Sequence, residues 1–168
     1  TPAGLEEAEE LFSLMRQHGV AKSCHFELIL EHGCVLSDVI RDAIASGEFQ
    51  PQESLYRMLA DRLLLEGDTE SAKVVMDYYI RAAGVPPTTE TKRALEERGG
   101  EEATELRERE AQRMILLGRL DAAKAFLKRL ESNGVVIGER SKQRLEGSNG
   151  FVMGERSKQS GVHRHTTM

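Results

Sequence analysis

Tryptophan is absent from this sequence, and three Tyr and five Phe make up its whole aromatic complement. That scarcity argues against an immunoglobulin-like sandwich, whose core rests on aromatic anchors. Two cysteines are too few for a disulfide framework, so nothing demands an oxidising compartment. Only four of the 168 residues are proline, and no apolar run approaches the ~18–20 residues of a membrane span. There is no Gly-x-Gly-x-x-Gly, no P-loop, no Gly-x-Ser-x-Gly and no His-Glu-x-x-His. The acidic residues, though plentiful, fall on solvated helix faces. No enzyme and no cofactor are therefore expected.

What is present is charge, unevenly spread. Residues 1–103 hold ten Lys/Arg against twenty Asp/Glu, and residues 104–168 hold thirteen against eight. An acidic front is thus joined to a basic back, and only the back is suited to phosphate. The chain opens Thr1-Pro2-Ala3-Gly4, with neither an initiator Met nor a signal or transit peptide. This reads as a start after processing or as a segment of a longer protein.

Apolar periodicity is helical throughout. Leu5, Ala8, Leu11, Phe12 and Met15 recur at three- and four-residue steps and stop at Gly19. Phe26–Leu30 is a short apolar segment ended by Gly33. Ser37 suits an N-cap for Val39, Ile40, Ala43 and Ile44, with Gly47 as the stop. Pro51–Glu66 carries Leu55, Met58, Leu59, Arg62 and Leu63 at helical spacing. After Gly67-Asp68 a partner helix holds Ala72, Val75, Met76, Tyr79, Ile80 and Ala83, closed by Gly84. A short helix is expected over 88–98. A final pair covers 101–117 and 120–132, broken at Gly118 and capped at Gly134. The class is all-α.

The helical pairs repeat. Gly67 aligns with Gly118, Ala72 with Ala123, and Gly84 with Gly134. The small residue five positions after the inter-helix glycine falls where the second helix must press on the first. Ala72 and Ala123 are therefore expected to be buried. Ala8, Phe12, Met15 and Gly19 follow the same second-helix grammar.

On these residues the chain resembles the pentatricopeptide repeat family, with Glu53–Thr88 as its best unit and Thr104–Gly138 as its second. Gly84-Val85-Pro86-Pro87 matches the family's closing Gly-x-x-Pro, and Tyr56 stands at its first-helix aromatic position. The resemblance implies an α-solenoid over residues 1–132, a segment of a longer array capped at its N-terminal end by further repeats or a partner. It implies a mitochondrial location and work in organellar gene expression. The partners would be single-stranded or ribosomal RNA, protein subunits of a large ribonucleoprotein, or both. Scaffolding a mitochondrial ribosome or an mRNA-stabilising complex is one role within that frame. A tetratricopeptide-like protein–protein adaptor in the cytosol is the alternative, although that family's Trp/Leu-Gly/Tyr marks are missing.

In the family a base is read by one side chain early in the first helix and one at the repeat boundary. Those positions hold Arg57 and Thr88 in the best unit, and Glu108 and Gly138 in the second. Glu has the wrong sign for phosphate-rich RNA and Gly has no side chain. Base-by-base reading is therefore not expected at these repeats, whereas Arg57 suits stacking or phosphate contact.

The tail carries its own repeat. Asn133–Gln143 is copied sixteen residues on by Asn149–Gln159, with nine of eleven positions identical. Residues 133–168 read as a flexible, basic, Gly/Ser-containing extension that adds little to the core. Any RNA affinity is expected to be electrostatic, through Lys124, Lys128 and Arg129 on the last helix and Arg140, Lys142, Arg144, Arg156 and Lys158 beyond it. Cys24, His25, His32 and Cys34 crowd into eleven residues. Two helical turns, about 10.5 Å, would separate the two histidines, so no metal is expected.

Overall fold

The computed structural model describes residues 2–83, 93, 101–139, 142, 143, 146 and 147. Among them are seven helices and no strand: α1 (Pro2–Gln17), α2 (Ser23–His32), α3 (Ser37–Ala45), α4 (Glu53–Leu65), α5 (Thr69–Ala83), α6 (Glu101–Leu116) and α7 (Leu120–Ser132). The fold is all-α. The helix expected over 88–98 lies outside the described residues, apart from Arg93.

The glycine stops work as one device. In the α4–α5 turn, Asp68 N–H donates to Leu63 O at 2.9 Å and Gly67 N–H to Leu64 O at 3.0 Å. In the α6–α7 turn, Arg119 N–H donates to Met114 O at 2.8 Å and Gly118 N–H to Ile115 O at 3.0 Å. This paired bonding satisfies carbonyls that a helix end leaves open, and it needs a residue with positive φ. Gly67 (φ +84°) and Gly118 (φ +75°) supply it. The same pattern ends α1, α3 and α7 at Gly19, Gly47 and Gly134.

Helix α4 is the hub, lying against α2, α3, α5 and α6. Phe26, Ile40, Leu55, Leu59, Leu63 and Ala72 form the middle of the first core, and each is at most 2% exposed. The Phe26 ring stacks on Phe49 at 3.9 Å and meets the edge of Phe12 at 4.9 Å. A second core joins α6 to α7 through Ala111, Met114, Ala123, Phe126, Leu127 and Leu130. Burying each large apolar side chain contributes about 1.5–3 kcal/mol. Ala72 and Ala123 are both wholly buried, as their shared register requires. Ala8, in the same register on α1, is exposed, because no first helix lies against it among the described residues.

The α6–α7 hairpin lies over the ends of the earlier helices. Arg107 donates to Leu64 O and Leu65 O, each at 3.0 Å, at the C-terminus of α4. Arg113 donates to His32 O at 3.0 Å and Gly33 O at 2.7 Å, at the C-terminus of α2. Cations on the last carbonyls oppose the negative end of each helix dipole. Arg129 reaches Asp38 on α3 at 3.0 Å, and Arg119 reaches Glu9 on α1 at 2.5 Å. These pairs join helices that a stack with nearest-neighbour contacts alone keeps apart.

Two sequence expectations need correction. Leu36, not Ser37, is the N-cap of α3, and Ser37 opens the helix with its N–H and hydroxyl both donating to Glu66, each at 2.9 Å. A carboxylate from the residue that follows α4 caps α3 more strongly than a neutral hydroxyl can. The tail, expected to stand apart from residue 133 onward, is part of the packed body at its start. Val135 and Ile137 pack against the second core, and Asn133 Nδ2 donates to Glu66 O at 2.9 Å.

Candidate nucleic-acid interface and the charged network behind it

Of the expected RNA-contacting residues, Lys124 and Lys128 are exposed, one turn apart on α7, with no ion partner among the described residues. Arg129, their neighbour in sequence, turns away into its pair with Asp38. Lys142 stands 3.6 Å from Glu131. Arg57 is exposed on α4, beside Tyr56, whose ring lies 5.1 Å from that of Tyr78 on α5. No described contact joins Arg57 to the α7 group. Thr88, Arg140, Arg144, Arg156 and Lys158 lie outside the described residues. Glu108 and Gly138 do meet: a Cβ at Gly138 would stand 2.5 Å from Glu108 Oε1.

Behind this surface is a charged network whose pairing the sequence reading missed. Arg62 is 7% exposed and Glu66 only 1%. Arg62 Nη1 donates to Glu110 Oε1 at 2.9 Å, and its Nε stands 3.6 Å from Glu66 Oε2. Its guanidinium lies 5.5 Å from the centre of the Phe126 ring, so two cores converge on one cation. Glu110 also accepts from Arg113 at 2.8 and 3.1 Å. Burial pushes the Glu66 carboxyl above the ordinary carboxylate range, against the Ser37 hydrogen bonds and the charges of Arg62 and Arg129. Burial pushes Glu110 the same way. There the hydrogen bonds and charges of Arg113 and Arg62 prevail and hold it below that range. The signal available in the sequence was Arg62 on the apolar face of α4, with Glu66 four residues on.

The network is built for cohesion. Both Glu66 oxygens accept from Ser37, which leaves neither facing solvent as an acid or base. Of the Cys/His cluster, Cys24 is exposed, and His25 Nδ1 accepts the Lys22 N–H at 2.9 Å. Among the described residues no group of three or more His, Cys, Asp or Glu converges where a metal could be held. Nor is any described helix long and apolar enough to cross a membrane.

A cleft of about 830 Å³ opens between α1, the α2–α3 loop and the α6–α7 turn. Phe12, Ile29, Leu36 and Leu120 supply apolar lining, and the charged lining is Glu9, Asp38 and Asp121 with Arg16 and Arg119. Cys34 is half-buried in it, and burial pushes its thiol up.

Comparison of the chain with family models, with curated proteins and with solved structures finds no match in any of the three. The class that the geometry itself defines is an all-helical protein whose repeated antiparallel hairpins share one turn and one buried alanine.

Proposed function

We propose that this chain is a non-catalytic, pentatricopeptide-like helical-repeat module that works in organellar gene expression, in the mitochondrion. It acts by binding, as a scaffold within a large ribonucleoprotein, with weakly selective electrostatic contact to single-stranded or ribosomal RNA. The observation that carries the reading is the recurrence, in α4–α5 and α6–α7, of the same glycine turn followed five residues on by a wholly buried alanine. The outward face of α1, with Leu11 and Leu14 each more than half exposed, suits a further repeat or a partner in a solenoid array.

Scaffolding leads because most of the basic half's described arginines are engaged internally. Arg107, Arg113, Arg119 and Arg129 bind carbonyls or carboxylates of other helices. Lys124, Lys128 and the basic residues beyond the described chain remain for phosphate.

The test is anisotropy of a labelled single-stranded RNA titrated with the full chain across a salt series. Log affinity should fall with log salt by about 0.7 per phosphate contact, and by about 3 overall if four or five contacts form. Lys124→Glu with Lys128→Glu should remove about 1.4 of that slope, the share of two contacts. Arg57→Ala should change it little. Salt-insensitive binding with strong sequence preference would overturn the weakly selective mode, and no binding at low salt would leave the scaffold alone.

A further inference from the structure

The duplicated tail unit has one copy whose docking is visible. Asn133 Nδ2 donates to Glu66 O, a carbonyl at the end of α4. Val135 lies over the turn glycine so closely that a Cβ on Gly67 would come within 2.5 Å of its Cγ2. Ile137 is partly buried on the second core, whereas Val136 between them is 89% exposed. The docking pattern is therefore Asn, two alternate apolar anchors, and a closing glycine, set on a helix-end carbonyl and a left-handed turn. The second copy keeps Asn149, Gly150 and Gly154, enlarges the first anchor to Phe151 and replaces the branched second anchor by the unbranched Met153.

The Gly67 surface cannot serve both copies. The first begins immediately after Ser132, the last residue of α7, so its effective concentration there exceeds that of a segment sixteen residues downstream. Replacing Val135 by a phenylalanine would also overpack a contact that is already tight. The same construction recurs at Gly19, Gly47, Gly118 and Gly134, where among the described residues no heavy atom lies within 4 Å of an added Cβ, and of these four the Gly118 turn is the one that lines the cleft. The apolar lining of that cleft, with Phe12, Ile29, Leu36 and Leu120, suits an aromatic and an unbranched apolar anchor. Reach is ample. Gly138 lies against Glu108, ten residues and about 15 Å of helix from Gly118. The eleven residues from Gly138 to Asn149 span up to about 36 Å. Of the charged lining, Arg16 and Arg119 are paired with Glu48 and Glu9, whereas Asp121, exposed and without an ion partner among the described residues, is left to face Arg156 or Lys158.

We propose that residues 149–154 of the same chain dock at the Gly118 turn, with Phe151 and Met153 seated in the cleft between α1, the α2–α3 loop and α7. The inference rests on the internal duplication and does not depend on the RNA reading.

Cys34 gives a native reporter inside the cleft. In the full chain, Cys24→Ser with Val152→Cys leaves both anchors intact and places a thiol between them, and Cys24→Ser with His163→Cys is the control. With a short thiol-to-thiol cross-linker, the link to Cys34 should form about ten-fold faster from position 152 than from 163, through higher effective concentration. It should run at monomer mass, and adding Phe151→Asp should bring the rate down to the control. Equal rates from 152 and 163 would overturn the docking. A preferential link that runs at dimer mass would overturn the same-chain occupant.

Discussion

The hairpins α4–α5 and α6–α7 share a turn and a buried alanine, yet they are joined to the rest of the molecule by different means. Helix α4 is held mainly by apolar side chains, with Leu55, Leu59 and Leu63 all at most 2% exposed. Helix α6 offers only Ala111 and Met114 to the buried core, and it is joined to α2 and α4 through Arg107, Glu110 and Arg113. Apolar burial tolerates small displacements, whereas an arginine fork on two carbonyls fixes position as well as attraction. The second hairpin is thereby set at a defined angle across the helix ends, where an apolar stripe would have let it slide. The cost is buried charge, and Arg62 stands between two carboxylates, the buried Glu66 and the part-buried Glu110.

The largest effect is therefore expected at Arg62. Arg62→Ala leaves Glu66 without its nearest cation and Glu110 with one fewer. Breaking a buried pair by removing one partner costs about 3–5 kcal/mol. Urea denaturation of the full chain measures it. A loss below about 1 kcal/mol, as for an exposed pair, would mean that the two hairpins are attached alike after all.

A smaller effect separates the two turns. Both glycines hold a left-handed conformation, which costs an L-residue about 1–2 kcal/mol. With residues 149–154 kept off the turn by Phe151→Asp in both variants, Gly118→Ala should cost only that, because among the described residues nothing lies near its Cβ position. Gly67→Ala should cost at least about 1 kcal/mol more, because the new methyl meets Val135. It should also raise protease sensitivity around residues 133–138, where Val135 loses its seat. Equal melting temperatures for the two variants would remove the distinction between a covered and an open turn.

These differences show what a sequence of this kind discloses. The turns were legible because a left-handed cap favours glycine, and Ala72 and Ala123 because close helix contact admits only a small side chain. Arg62 was visible on the apolar face of α4 but its partners were not. Glu110 is 48 residues away and on another helix, and no periodicity encodes where a long charged side chain will reach. The reading of the C-terminal half as basic failed to anticipate its internal wiring for the same reason. Net charge counts an arginine on a helix-end carbonyl and an arginine facing solvent alike. The docked start of the tail was hidden because Val135-Val136-Ile137 alternates over too few residues to be told from a loop.

The smallest effect compares the two carboxylates that face Arg62, and their signs are opposite. Glu66 titrates above the ordinary carboxylate range because burial disfavours its charge. As pH falls from neutral through that raised value, the folded state takes up a proton before the unfolded one, whose glutamates titrate near 4.3. Stability contributed by this group therefore rises as pH falls towards the ordinary value. Glu110 titrates below the ordinary range, because Arg113 and Arg62 outweigh its burial. The unfolded state binds that proton first, so stability present above the ordinary value is lost as pH falls through the depressed one. Melting temperature followed from pH 7 to pH 3 should thus show a shallow gain before the acid loss. Glu66→Gln should flatten the gain and leave the loss, and Glu110→Gln should soften the loss and leave the gain. If both variants merely shift the whole wild-type profile by a constant, neither carboxylate is linked to folding as its surroundings dictate. The charged network would then act through packing alone.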